Sequence, residues 1–393
     1  MATVAKRGNS YKITVSSGYD VNGKQIRHHL TWMPEPGMTP KQIEKELERQ
    51  KVLFEEECKN GGGAADGRVK FESFARQWFK EYAQTKLKAT TIKGYHDCER
   101  RSYAAIGHLR MDKITTRAIQ KFILNLGEDG VNMQNGKGMS PKSIKNYLSF
   151  ISTIFNYAVK QGVVKTNPCR GVSLPTIPQV ERDCYTLEEA QQFLELLENE
   201  PMEWRVLFTL ATYGGFRRGE LFGLEWQDID FDTGVVTIQR TSLYIKEKGV
   251  FTDTPKTKNS IRYLKLPDYV MDLLKRYKAE QAERQLQLGN QWVNTGRLLA
   301  GWNGAPMNPS SARNWVQRFC KRTGMRKMNV HSFRHLNASL LITSGTDVKT
   351  VSAALGHKQV STTLNIYGHT FAAVQAKAAD AIADKLALKK EAQ

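Results

Sequence analysis

Residues 140–162 read SPKSIKNYLSFISTIFNYAVKQG, and a single helix accounts for the whole stretch. Ser140 is an N-cap residue, and Pro141 suits the first helical position, where a missing N–H costs nothing. Ile144, Tyr147, Leu148, Ile151, Ile154, Phe155 and Ala158 follow at spacings of three and four, which gathers them on one face. Gly162 fits the end of the helix. A long helix with one apolar face must bury it against other packed elements. The sequence around it supplies them, and residues 69–172 read as an all-helical domain.

Linkers bound that domain. Asn60-Gly61-Gly62-Gly63-Ala64-Ala65-Asp66-Gly67 is flexible and has nothing to bury, which places a linker over 60–68. Leu174-Pro175-Thr176-Ile177-Pro178 is stiffened by its prolines and marks a second linker over 173–182. Before the first linker, Tyr11, Ile13 and Val15 alternate with Lys12, Thr14 and Ser16. Asn22-Gly23 is a hairpin turn signal, because both residue types tolerate positive φ. Ile26, His28, Leu30 and Trp32 then alternate with Gln25, Arg27, His29 and Thr31. Thr39-Pro40 opens a helix with Ile43, Leu47 and Phe54 on one side. Residues 1–59 are thus a small sheet plus one helix. The segment 183–393 is long enough for one mixed domain. Thr186 to Glu189 has capping-box spacing, helical stretches flank Gly214-Gly215, and Val235–Arg240 and Ile261–Leu266 are strand-like. The alanine-rich tail, Ala372 to Leu388, reads either as a docking helix or as a frayed terminus. The fold class expected is multidomain α+β, with a mostly helical last domain holding a small antiparallel sheet.

The 393 residues carry 58 Lys and Arg against 39 Asp and Glu, a net +19. Between residues 70 and 170 the count is 18 to 7, so +11 sits in about a quarter of the chain. Charge concentrated in this way on a compact helical domain is the footprint of a nucleic acid, not of an amphipathic membrane anchor. No run approaches the ~18 apolar residues of a membrane span. Met1 to Ser10 carries Lys6 and Arg7 with no apolar stretch behind them, which predicts no secretory signal. The five cysteines are odd in number and never in a CxxC pair, which argues against a disulfide framework or a cysteine zinc site. A reducing cytoplasm is expected.

Three islands in the last domain can do chemistry. Gly214-Gly215-Phe216-Arg217-Arg218-Gly219-Glu220-Leu221 pairs a sharp turn with an arginine at a helix start, suited to a phosphate, and Glu220 can hold that arginine. In His331-Ser332-Phe333-Arg334-His335, the i and i+3 positions put His331 and Arg334 on one face. His331 and His335 also have zinc spacing, but Ser332 stands where a zinc protease needs glutamate. The third island is Leu355-Gly356-His357-Lys358, then Ser361-Thr362-Thr363, then Tyr367-Gly368-His369. A tyrosine among cations can be a nucleophile toward phosphate. With Lys256 and Lys258 on a predicted strand hairpin, the set suits phosphoryl transfer in which cations neutralise the phosphate. No carboxylate cluster for magnesium accompanies it.

The order Arg217, lysine, His331-x-x-Arg334, His357, Tyr367 resembles the tyrosine recombinase (phage integrase) family. The resemblance runs over most of the chain. Residues 69–172 look like the family's core-binding domain. Residues 1–59 are similar to the three-stranded arm-binding domains of integrases from conjugative transposons and Gram-positive phages. Residues 183–393 match its catalytic domain and C-terminal tail. The resemblance implies that Tyr367 attacks the scissile DNA phosphate, giving a 3′-phosphotyrosine and a free 5′-hydroxyl. Arg217 and Arg334 would clamp the non-bridging oxygens, and His331 and His357 would bond the phosphate and help move protons. One of Lys256 and Lys258 would protonate the leaving oxygen while the other contacts phosphate; Lys256 is taken as the acid. His335 and Glu220 would support. No cofactor or metal is implied. The partners implied are double-stranded DNA at core and arm sites and a homotetramer working through a Holliday junction, with an excisionase or a DNA-bending protein as a further candidate. A DNA-binding protein with a decayed site and a type IB topoisomerase-like nickase are the alternatives. The complete residue set speaks against the first, and the extra N-terminal domain and tail against the second.

Overall fold

The computed structural model of the chain describes residues 2–19, 23–58, 67–178, 184–253, 261–368 and 370–371. It divides into two compact units, Met1–Gln179 and Val180–Gln393. The first unit contains two separate hydrophobic cores. Strands β1 (Thr3–Arg7), β2 (Ser10–Tyr19) and β3 (Gln25–Trp32) form an antiparallel sheet with β2 in the middle. The alternation read from the sequence holds on β2, where Ile13 and Val15 are buried. On β3 it holds from His28 onward, but Ile26 is 39% exposed. That end of the strand pairs across a register shift between Ser16 and Tyr19, so its face is no longer fixed by the regular ladder. Strand β1 is exposed along its whole length, so no apolar alternation betrays it in the sequence. Helix α1 (Pro40–Glu57) lays Leu47 and Phe54 against Ile13 and Val15. Asn22 of the expected turn and most of the glycine linker (residues 59–66) lie outside the described residues.

The second core of this unit is helical. It is built from α2 (Phe71–Trp78), α3 (Ala89–Ser102), α4 (Thr116–Asn125) and α5 (Pro141–Lys160). Helix α5 begins as its sequence directs, with the Ser140 hydroxyl accepting from the Ser143 amide at 3.2 Å. Ile144, Tyr147, Ile151, Ile154, Phe155 and Ala158 are all buried. Phe150 is buried too, while Leu148 is only half-buried. The buried arc is therefore wider than the stripe read from spacing, because helices pack on it from more than one side. Phe71 stacks on Phe155 with ring centroids 5.8 Å apart. Each such side chain taken out of water contributes about 1.5–3 kcal/mol.

The second unit is mostly helical. Its elements are α6 (Leu187–Leu197), α7 (Met202–Gly214), the single turn α8 (Arg218–Leu221), β4 (Ile229–Asp230), β5 (Val235–Ile238), β6 (Thr241–Ile245), β7 (Gly249–Asp253), β8 (Arg262–Lys265), α9 (Asp268–Leu288), α10 (Ser311–Thr323), α11 (Val330–Thr343) and α12 (Val348–Leu355). Residues 360–368 are helical as well. The capping box expected at Thr186 is formed with Glu189. Helix α7 is buried almost all round and runs through the middle of the core. The strands fall into two small antiparallel sheets, β4-β5-β8 and β6-β7. The sequence reading had the lysines on a hairpin. In the structure the strands on either side of that segment, β7 and β8, go to different sheets: β7 closes on β6, and β8 pairs with β5 through Val236↔Leu264. Residues 254–260, with Lys256 and Lys258, lie outside the described residues, as does the tail from 372 on. Among the described residues no helix is long and apolar enough to cross a membrane.

Candidate active site

Helix α7 ends at Gly215, whose φ of +56° turns the chain sharply into the left-handed region that glycine adopts freely. Space also demands glycine there: a Cβ would sit 2.5 Å from Asn337 Oδ1. Asn337, on α11, donates to the carbonyls of Thr212 and Tyr213 at 2.9 and 3.0 Å and so caps α7. The turn delivers Arg217 to the start of α8. There its Nη1 donates to Glu220 Oε1 at 2.7 Å, while Glu220 Oε2 accepts from the Arg217 amide at 2.8 Å.

Glu220 also receives Arg262 from β8, at 3.0 Å to Oε1 and 2.7 Å to Oε2. Burial alone would raise the Glu220 carboxyl, but the hydrogen bonds and charge of Arg262, with Arg217, hold it down at about 2. Arg334 stands on the second turn of α11 and is 2% exposed. Its Nη1 donates to the Gly215 carbonyl at 2.7 Å, and Nη2 donates to that of Leu355. Burial, then repulsion from Arg217, lowers Arg334 to about 9, still cationic at neutral pH.

The three arginines converge on the end of one helix. Arg262 Nε donates to Ala354 O at 3.0 Å, Arg334 Nη2 to Leu355 O, and Arg217 Nη2 to Gly356 O at 2.7 Å. These are the last carbonyls of α12, the negative end of its dipole. Gly356 closes the helix with φ +63°, and the next residue is His357. Its Nδ1 lies 2.8 Å from Thr363 Oγ1, which fixes the ring. Burial first, then Arg334, Arg217, Arg262 and His331, lowers His357 to about 4, so it is neutral at pH 7.

Tyr367, on the helix spanning 360–368, is 3% exposed and packs with Ala338, Ile342, Val351 and Leu355 in a small core of its own. Its Oη lies 2.6 Å from His335 Nδ1. His331 is exposed on the first turn of α11, which Asn329 caps by accepting from the amides of His331 and Ser332. The His331 and His335 rings meet edge to face with centroids 4.9 Å apart. Among the described residues, no three His, Cys, Asp or Glu side chains gather as a metal-binding group.

The structure thus brings together Arg217, Arg334, His357 and, through His335, Tyr367 and His331. Lys256 is the one predicted site residue outside the described residues. Sequence reasoning missed Arg262, which occupies an inward position of β8 in step with Leu264; a charge on the inward face of a strand was the available signal. It also gave His335 only a supporting part. Nothing in the sequence told which of two histidines on a helix meets the tyrosine.

The phage integrase family profile matches residues 184–373, and the phage integrase SAM-like domain profile matches residues 70–173. The tyrosine recombinase XerC-like protein of Caldanaerobacter subterraneus subsp. tengcongensis is 30% identical, over 95% of this chain and 96% of its own length. The ICEBs1 integrase of Bacillus subtilis is 31% identical, over 70% of this chain and 72% of its own. Among solved structures, the Tn1549 transposon integrase in complex with a circular intermediate DNA superposes with a TM-score of 0.66, covering 79% of this chain and 99% of that one at 19% identity. A lambda integrase tetramer bound to a Holliday junction gives 0.53, at 18% identity over 91% and 95%.

Proposed function

The chain belongs to the phage integrase family of tyrosine recombinases, enzymes of site-specific DNA recombination, and on that premise we propose how its own residues carry the reaction. Tyr367 attacks the scissile phosphate and forms a 3′-phosphotyrosine, releasing a 5′-hydroxyl. Arg217 and Arg334 neutralise the non-bridging oxygens, and His331 and His357 donate to the phosphate. Lys256, or Lys258 in its place, protonates the leaving oxygen. The bond energy is held in the phosphotyrosine, so strand exchange needs no nucleotide. The positive charge a phosphoryl transition state needs comes from side chains, so the reaction runs without a metal ion. Residues 1–59 hold arm sites and residues 69–172 the core site, joined by linkers over 60–68 and 173–182, with catalysis in 183–393. Four copies act on two DNA sites, in the cytoplasm, to integrate and excise a mobile element.

One observation supports this reading above the others. Arg217 and Arg334 are both held by the backbone just before His357, at Gly356 and Leu355, and Tyr367 packs against α11 and α12. Three guanidiniums against one carboxylate leave two positive charges over at a spot suited to a phosphodiester. The test is a covalent trap: wild type and Tyr367→Phe are incubated with nicked duplexes from the element ends, in EDTA, and run on denaturing gels. An adduct with wild type alone is expected. An adduct that needs added magnesium would refute the metal-free step, and one formed by Tyr367→Phe would mean another nucleophile.

A further inference from the structure

We propose that His335 is a further catalytic residue: its Nδ1 holds the Tyr367 hydroxyl and takes the proton as the phenol attacks. This rests on Tyr367 being the nucleophile. The 2.6 Å separation of Oη and Nδ1 is within the reach expected of a nucleophile and its base. Both side chains are buried, at 3% and 6% exposure, so bulk water is poorly placed to do the same work. Two flanking contacts fix the imidazole. The Tyr367 ring lies 5.6 Å from it, centroid to centroid, at 58°, and His331 closes on its edge from one turn earlier on α11. Adjacent positions of one helix therefore divide the labour: Arg334 faces the carbonyls of Gly215 and Leu355, and His335 faces the tyrosine.

The step balances. As the Oη–phosphorus bond forms, the bond from phosphorus to the 5′ oxygen breaks. The Oη proton passes to His335 Nδ1, and the leaving oxygen takes its proton from the lysine acid. Rejoining runs the same transfers backwards, with the protonated His335 returning its proton to the phenolate as it leaves.

The experiment measures single-turnover adduct formation on nicked duplex at saturating DNA, beside DNA affinity and thermal melting of each variant. His335→Ala and His335→Gln are both expected to slow adduct formation by roughly 10²–10⁴-fold with affinity unchanged, the range of a lost general base. Added imidazole should restore part of the rate to His335→Ala, which leaves room for it, and none to His335→Gln, which fills the space. Rescue of this kind would not follow from a purely structural role. His335→Gln keeps a hydrogen-bond acceptor, so a Gln variant as fast as wild type would overturn the proposal and reduce His335 to orienting the phenol. An Ala variant faster than wild type would also overturn it, showing that the bond locks Tyr367 away. Should Tyr367→Phe still form an adduct, the nucleophile assignment fails, whatever the His335 variants do.

Discussion

Glu220 is a single carboxylate between two guanidiniums, and its ionisation is tied to the integrity of the site. Its folded pKa lies below the ordinary carboxylate value, so the stability it contributes is present in full above about pH 4.5 and is lost as pH falls through about 2. The wild type should therefore be more stable than Glu220→Gln at pH 6, by a few kcal/mol for a buried paired charge. The gap should close between about pH 4.5 and 2. Denaturant midpoints across that range check it, and a gap independent of pH would mean that Glu220 is not held by charge. At this scale the sequence was partly legible. Arg217, Arg334, His357 and Tyr367 could be named from their motifs. Arg262 and His335 could not be given their partners, because the contacts that define them span 42 residues to Glu220 and 32 to Tyr367.

Elements place these residues, and the turn after α7 does most of it. Gly215 both adopts a left-handed backbone and offers its carbonyl to Arg334. Gly215→Ala would strain the turn and push Asn337 off the α7 cap, at a cost of about 1–3 kcal/mol. Thermal melting should show this loss, together with slower adduct formation, since Arg217 is only two residues away. A variant as stable as wild type would show that the turn relaxes without disturbing α11. The sequence announces such elements where the signal is local. The Ser140-Pro141 start of α5 and the Thr186 box of α6 are read directly, because an N-cap bond is made within three residues. Pairing is another matter. Which partner β8 takes depends on Val236 and Leu264 meeting in the core, and neither residue type encodes that choice.

Across the whole molecule, charge is the organising property. The net +19, with +11 between residues 70 and 170, has a measurable consequence. Binding to duplex DNA should fall steeply with salt, by roughly 10³–10⁵ between about 50 and 200 mM for six to ten phosphate contacts. A titration followed by fluorescence anisotropy tests this, and a nearly flat affinity would remove the helical domain as the DNA clamp. The convergence of arginines on the end of α12 has a consequence in time. Arg217 emerges from the ribosome well before Arg334, and the carbonyls of Leu355 and Gly356 that hold them emerge later still. Until those last carbonyls arrive, the two arginines have no common anchor and the tyrosine does not yet exist. A chain made only as far as α11 therefore cannot hold its two arginines together, and the cluster can assemble only after residues 355 and 356 have been made.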